Sequence, residues 1–132
     1  GPQRQPYDPA IATDPDVAVY RITGAFFFGA AATVGSVLDR IADQHRAFIL
    51  DFSAVPFIDS TAANAIEGLA RKAHRQHCIL LISAASPAVR KILGTHGVRA
   101  PEVPFEPSID AALAKAHAEL ARREAEAASI PA

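Results

Sequence analysis

Two short apolar runs separated by a segment of helical periodicity constrain the fold of this 132-residue chain most strongly. The runs are "AFILDF" at 47 to 52 and "CILLISA" at 78 to 84, and each has the length of a strand covered on both faces. Between them, small and apolar residues recur at the spacing of one helix face from about Thr61 to Gln76. Strand, helix and strand in this order predict parallel strands joined by a crossover helix.

The flanking segments extend the same alternation of strands and helices. The turn "TDPD" before "VAVYRITG" predicts an opening hairpin, and apolar spacing predicts a helix from Ala30 to Gln44. Ser86 followed by Pro87 predicts a helix start, Ser108 predicts another, and the prolines of "EVPFEP" predict an edge strand. The fold class is therefore α/β, with a mixed, mostly parallel β-sheet and about four helices.

The length predicts one domain with its own core. We expect a protease scar and an extended lead-in at residues 1–9 and the folded domain at residues 10–118. Residues 119–132 form an Ala- and Glu-rich tail that loses its apolar face after Leu120, and we expect this tail to fray.

Charge and cysteine content exclude several classes of function. Thirteen basic residues oppose fourteen acidic ones, so the whole chain has no excess charge with which to bind nucleic acid or an anionic membrane. A single cysteine, Cys78, excludes an internal disulfide and fits a reducing compartment. The longest weakly polar run, "GAFFFGAAATVGSVL", is shorter than the roughly 20 residues of a membrane span.

Familiar catalytic and cofactor motifs are absent. The glycines fit neither a dinucleotide-binding loop nor a P-loop, so we predict no cofactor. His74 and His77 are near enough to share a metal, but basic side chains around them favour a role at a helix C-terminus, and we predict no metal site. Cys78 begins an apolar strand, which favours a buried, inert thiol.

The joint "IDSTAANA" is the most informative place for function. In a parallel sheet, ligand sites lie where strands end and helices begin, and this joint carries Asp59, Ser60 and Thr61. Propensity alone favours Ser60 or Thr61 as a helix cap over a chemical handle, although neither is followed three residues later by the Glu or Gln of a capping box. A phosphate, an anion or a nucleotide phosphate at this helix N-terminus is the weaker alternative.

The stretch "ILDFSAVPFIDSTAANAIEGL" resembles the signature of the STAS domain family, and the resemblance extends over about residues 10 to 118. The family includes anti-sigma factor antagonists and cytoplasmic domains of SulP-type anion transporters. In the antagonists a partner kinase phosphorylates the hydroxyl that follows the Asp of this turn. The resemblance therefore implies that Ser60 is a phospho-acceptor, with Asp59 and Thr61 completing the motif.

The segment "VYRITGAFFFGA" is more similar to the transporter branch, although Ala25 stands where that branch has a proline. The resemblance implies a non-catalytic regulatory domain on the cytoplasmic face of the inner membrane. Its partners would be the transmembrane part of the same transporter and a regulatory protein or kinase. The alternative is a soluble anti-sigma factor antagonist switched by serine phosphorylation.

The three phenylalanines Phe26, Phe27 and Phe28 are candidates for the contact with the membrane part. Side chains alternate along an extended segment, so at least one of the three should be exposed. An equally simple explanation is that the first helix and its loop cover all of them.

Overall fold

A computed structural model describes residues 14–23, 36, 40 and 45–129. Four strands and three helices alternate along these residues: β1 (Val17–Thr23), β2 (Ala47–Ala54), α1 (Ser60–Arg75), β3 (Ile79–Ser83), α2 (Pro87–Thr95), β4 (Phe105–Glu106) and α3 (Ile109–Ala128). Ser36 and Arg40 are also helical, as the predicted helix from 30 to 44 requires. The rest of that helix, residues 10–13 of the opening hairpin and Phe26 to Phe28 lie outside the described residues.

The four strands form one sheet in the order β1-β2-β3-β4, and each neighbouring pair is parallel. The strands start together, because Val17, Ala47 and Ile79 lie side by side in register. The short strand β4 lies at the edge, flanked by Pro104 and Pro107, as the prolines predict. The α/β fold class predicted from the sequence is confirmed.

Both faces of the sheet are covered, which explains the continuous apolar runs. Alternate residues of β2 belong to different cores, with Phe48, Leu50 and Phe52 under α1 and α2 on one side. On the other side Ala47 and Ile49 pack under α3. Phe48 is fully buried, and truncating such a side chain to alanine costs about 3–5 kcal/mol.

Serine caps begin two of the helices, as the sequence predicts. The Ser86 hydroxyl accepts a hydrogen bond from the Val89 N–H at 3.2 Å, and the Ser108 hydroxyl accepts one from the Ala111 N–H at 3.1 Å. Each hydroxyl satisfies one of the free N–H groups at a helix start.

The last helix is longer than the sequence indicates, because α3 continues through Ala128 instead of fraying after Leu120. Two contacts join these extra turns to distant parts of the chain. Arg46 pairs with Glu124 at 2.8 Å, and Arg123 Nη1 donates to the His77 carbonyl at 3.2 Å. None of the three helices has both the length and the apolar character needed to cross a membrane.

Candidate functional site

The loop between β2 and α1 is fixed by two buried side chains and exposes the residues between and after them. Val55 donates its N–H to the Phe52 carbonyl at 3.0 Å and is buried, as is Ile58. Between them, Phe57 is 52% exposed, and no other large hydrophobic side chain in the described part of the chain is classed as exposed. The loop thereby delivers the Asp59–Thr61 turn to the carboxyl edge of the sheet, where ligand sites of parallel sheets occur.

The cap of α1 is Asp59, so the prediction that Ser60 or Thr61 caps this helix is wrong. Asp59 has an extended backbone (φ −98°, ψ 173°), and its Oδ1 accepts a hydrogen bond from the Ala62 N–H at 2.7 Å. Asp and Ser have nearly equal capping propensity, but a carboxylate also gains from the positive end of the helix dipole. Ser60 is consequently the first residue of the helix.

The two hydroxyls of the turn are left available for other contacts. Ser60 and Thr61 are both exposed, and neither side chain is hydrogen-bonded to another described residue. The first turn of α1 contains no acidic residue besides the cap. A negative group added to either hydroxyl would lie near the positive helix end, with Asp59 as the nearby opposing charge.

A buried carboxylate lies in the same region of the sheet, and sequence reasoning had noted Asp51 only as an interruption of an apolar strand. Asp51 is 1% exposed, in register with Arg21 on β1 and Ser83 on β3. Its Oδ2 accepts hydrogen bonds from Arg21 Nε at 3.2 Å and from the Ser53 hydroxyl at 2.5 Å. Its Oδ1 accepts one from the Ser83 hydroxyl at 2.6 Å.

This Asp51 network joins the ends of three strands beside the loop that leads to Asp59. A buried charge is tolerated only when it is paired and hydrogen-bonded, and here three donors meet that requirement. A lone Asp within an otherwise apolar strand was the signal available in the sequence. The sequence did not identify its partners Arg21 and Ser83, because they lie 30 and 32 residues away along the chain.

The remaining candidate residues do not form a second site. No group of three potential metal ligands occurs among the described residues, and Phe26, Phe27 and Phe28 lie outside them. Burial raises the pKa of the Cys78 thiol to about 11, against a smaller opposing effect of the Arg123 charge. The thiol is therefore protonated at neutral pH and is a poor nucleophile.

A family model and two solved structures point to the same protein family. The STAS domain family model matches residues 8–112. A sulfate transporter family protein from Wolinella succinogenes is 34% identical, with a TM-score of 0.67, over 76% of this chain and 84% of that one. The STAS domain of a SulP transporter from Vibrio cholerae is 32% identical, with a TM-score of 0.67, over 81% of this chain and 85% of that one.

The fold is also shared with the other branch of the family. The anti-sigma factor antagonist SpoIIAA in its unphosphorylated form has a TM-score of 0.60 at 17% identity, over 78% of this chain and 91% of that one. Comparison with curated protein sequences gives no significant match. The match over residues 8–112 and the two relatives above 30% identity establish that this chain belongs to the STAS domain family.

Proposed function

We propose that this STAS domain is the cytoplasmic regulatory domain of a SulP-type anion transporter of the sulfate class. The observation that carries the proposal is that the two relatives above 30% identity are both transporter-family proteins. The two transporter-family relatives are 34% and 32% identical to this chain, whereas the antagonist SpoIIAA is 17% identical. The domain would act at the cytoplasmic face of the inner membrane, on the transmembrane part of the same protein.

In this proposal the domain regulates transport and catalyses no reaction. A domain outside the membrane changes transport only if its contacts favour one state of the transporter over another. The exposed Ser60 and Thr61 hydroxyls offer one means, because a phosphate adds about −1.5 to −2 charges to the carboxyl edge. That charge would alter docking while the Asp59 cap and the helix remain intact.

Deleting residues 10–118 from the full-length protein tests the regulatory role. We expect reduced sulfate uptake or reduced abundance of the transporter in the membrane, measured in the same cells by radiolabelled uptake and immunoblotting. Unaltered uptake and unaltered abundance would contradict the proposal.

The phosphorylation step is tested separately by Ser60→Glu in the full-length transporter. Asn64→Glu is a matched control, because it places the same charge at an exposed position of the same helix without replacing a hydroxyl. We expect Ser60→Glu to change uptake more than Asn64→Glu. Phosphopeptide mass spectrometry on the cellular protein, with Ser60→Ala and Thr61→Ala variants, would identify the acceptor.

The exposed hydroxyls also suit a second candidate, a soluble anti-sigma factor antagonist that a partner kinase switches off. In that case phosphate on Ser60 would block docking by charge and desolvation. The parent reading frame separates the candidates, because about ten hydrophobic spans upstream of residue 1 would identify a transporter. Calorimetric titration with GTP, GDP and sulfate tests the remaining possibility of an anion or nucleotide at the start of α1.

A further inference from the structure

The face of the sheet that packs against α3 changes from apolar to polar towards the carboxyl ends of the strands. Residues in register across β1, β2 and β3 form rows on this face. Its first two rows belong to the apolar core under α3: Val17, Ala47 and Ile79, then Val19, Ile49 and Leu81. The third row is polar and continues into β4: Arg21, Asp51, Ser83 and Glu106. Polar side chains thus replace the core at the edge where parallel sheets place their ligand sites.

The fold itself does not require a charged pair in this third row. Asp51 already accepts hydrogen bonds from two serine hydroxyls, those of Ser53 and Ser83. Replacing a buried ion pair by apolar residues of similar size is often neutral or stabilising. An apolar residue at position 51 would therefore continue the two preceding rows with little or no cost in stability. The charged pair is better explained by its effect on Arg21, which it holds in one orientation at the surface.

The Arg21 side chain is fixed on one side and open on the other. Its Nε donates to Asp51 Oδ2 at 3.2 Å, and the side chain is 41% exposed. No described residue accepts a hydrogen bond from Nη1 or Nη2. The planar pair of Nη groups matches two oxygens of an anion. A buried carboxylate that orients the guanidinium in advance is the support that a binding site needs.

The Ser53 hydroxyl lies beside this arginine, because both side chains donate to the same oxygen, Asp51 Oδ2. Ser53 is exposed, and it gives its only hydroxyl proton to that oxygen at 2.5 Å. Towards a ligand, the Ser53 hydroxyl can therefore only accept a hydrogen bond. The site thus combines the donors of Arg21 with one acceptor from Ser53.

We propose that Arg21 and Ser53 bind a small oxyanion that still carries a proton, such as hydrogen phosphate or bicarbonate. Two oxygens of the anion accept hydrogen bonds from the Arg21 Nη groups, and its O–H donates to Ser53 Oγ. Sulfate has no proton to donate at neutral pH. A phosphate monoester has lost most of its own, because its second pKa is about 6. The inference goes beyond the proposed function and applies to either branch of the family.

The charges around the site are compatible with a bound anion of modest affinity. Asp51 opposes the anion, but it is buried and both of its oxygens are occupied by donors. Glu106 lies three strand spacings from Arg21, which is about 14 Å. This distance exceeds the screening length of roughly 8–10 Å at physiological salt, so the repulsion from Glu106 is small. Because Asp51 offsets part of the attraction, we expect a Kd on the order of 1 mM.

NMR titration of the isotope-labelled 132-residue chain at constant ionic strength and about pH 7.5 tests the inference. Phosphate and bicarbonate should each shift the backbone N–H signals of Arg21 and Ser53 saturably. Sulfate and methyl phosphate should bind about fivefold more weakly, because the hydrogen bond to Ser53 is missing. Ser53→Ala should abolish this preference. Arg21→Lys should weaken phosphate binding by about tenfold, because lysine keeps a charge beside Asp51 but lacks the planar pair of donors.

The matched control is Arg90→Gln, which removes an exposed arginine from α2 and should leave phosphate binding unchanged. Circular dichroism establishes that each variant is folded. Absence of a saturable shift with both phosphate and bicarbonate would overturn the inference. Equal affinity for phosphate and sulfate, a preference that Ser53→Ala leaves intact, or equal losses in Arg21→Lys and Arg90→Gln would overturn it too.

Discussion

At the scale of single residues, the three polar residues of the turn divide two roles between them. Asp59 caps the helix, and Ser60 and Thr61 keep their hydroxyls exposed. Asp59→Ala should therefore lower the free energy of unfolding by about 1 kcal/mol. Ser60→Ala should change it by no more than about 0.5 kcal/mol, as for other exposed positions.

Urea unfolding of the two variants measures the difference. Asp59→Asn is a useful companion, because asparagine caps helices about as well as aspartate and should recover most of the loss. A larger loss in Ser60→Ala than in Asp59→Ala would mean that the serine is the cap after all.

The Asp51 network supports a second prediction at this scale. Asp51→Ala removes the acceptor of the fully buried Ser83 hydroxyl and the partner of Arg21. The free energy of unfolding should therefore fall by about 2–4 kcal/mol. We place the value below that of a fully buried ion pair, because the Arg21 side chain is 41% exposed and water replaces part of the interaction.

Two comparisons check this prediction by chemical denaturation. Glu102→Ala removes an exposed carboxylate and should change stability by no more than about 0.5 kcal/mol. In a double-mutant cycle, Ser83→Ala should lose much of its effect in the Asp51→Ala background, because the two residues share a hydrogen bond. Fully additive effects would argue against the network as a unit.

At the scale of elements, the sequence predicts what local chemistry decides and misses what distant contacts decide. The alternation of strands and helices, the caps at Ser86 and Ser108 and the edge position of β4 follow from local patterns. The choice of Asp59 over Ser60 was missed because capping propensities are too similar, and the backbone path into the helix decides between them. The length of α3 was missed as well, and one contact of its last turns, between Glu124 and Arg46, spans 78 residues of sequence.

Helices α1 and α2 end in the same hydrogen-bonding motif. The residue with left-handed backbone in this motif is His77 (φ 59°) after α1 and Gly97 (φ 92°) after α2. In each helix, two backbone N–H groups after the cap donate to carbonyls of the last turn. In α1 the Cys78 N–H donates to the Ala73 carbonyl and the His77 N–H to the His74 carbonyl. In α2 the Val98 N–H donates to the Leu93 carbonyl and the Gly97 N–H to the Gly94 carbonyl. His77→Gly should relieve the backbone cost and stabilise the fold by about 0.5–1 kcal/mol.

The reverse substitution, Gly97→Ala, should destabilise the fold by about 1 kcal/mol. The added Cβ would have Glu67 Cγ as its neighbour at 3.7 Å, an ordinary contact, so the expected loss comes from the backbone and not from a clash. Thermal unfolding of both variants measures the two shifts. Shifts in the same direction would show that the left-handed backbone is not the determining factor.

At the scale of the whole molecule, one contact between side chains joins the residues just before β1 to the last helix. His117 Nε2 lies 2.8 Å from Asp14 Oδ2, across 103 residues of sequence. Burial acts to raise the pKa of Asp14, but hydrogen bonds from the Asp16 N–H, from His117 and from the Val17 N–H together lower it below its usual value. The folded state therefore favours the ionised carboxylate more than the unfolded state does.

The stabilisation from Asp14 is fully present above the unfolded pKa of about 3.9 and is lost as the pH falls through the lower folded pKa. Asp14→Asn cannot ionise, so the stability difference between wild type and this variant should be constant above about pH 5 and shrink towards pH 2. His117→Ala should weaken this acid dependence, because one of the hydrogen bonds that favour the carboxylate is gone. Urea titrations from pH 2 to 6 measure this difference. A difference that grows with acidity would contradict the lowered pKa of Asp14 in the folded state.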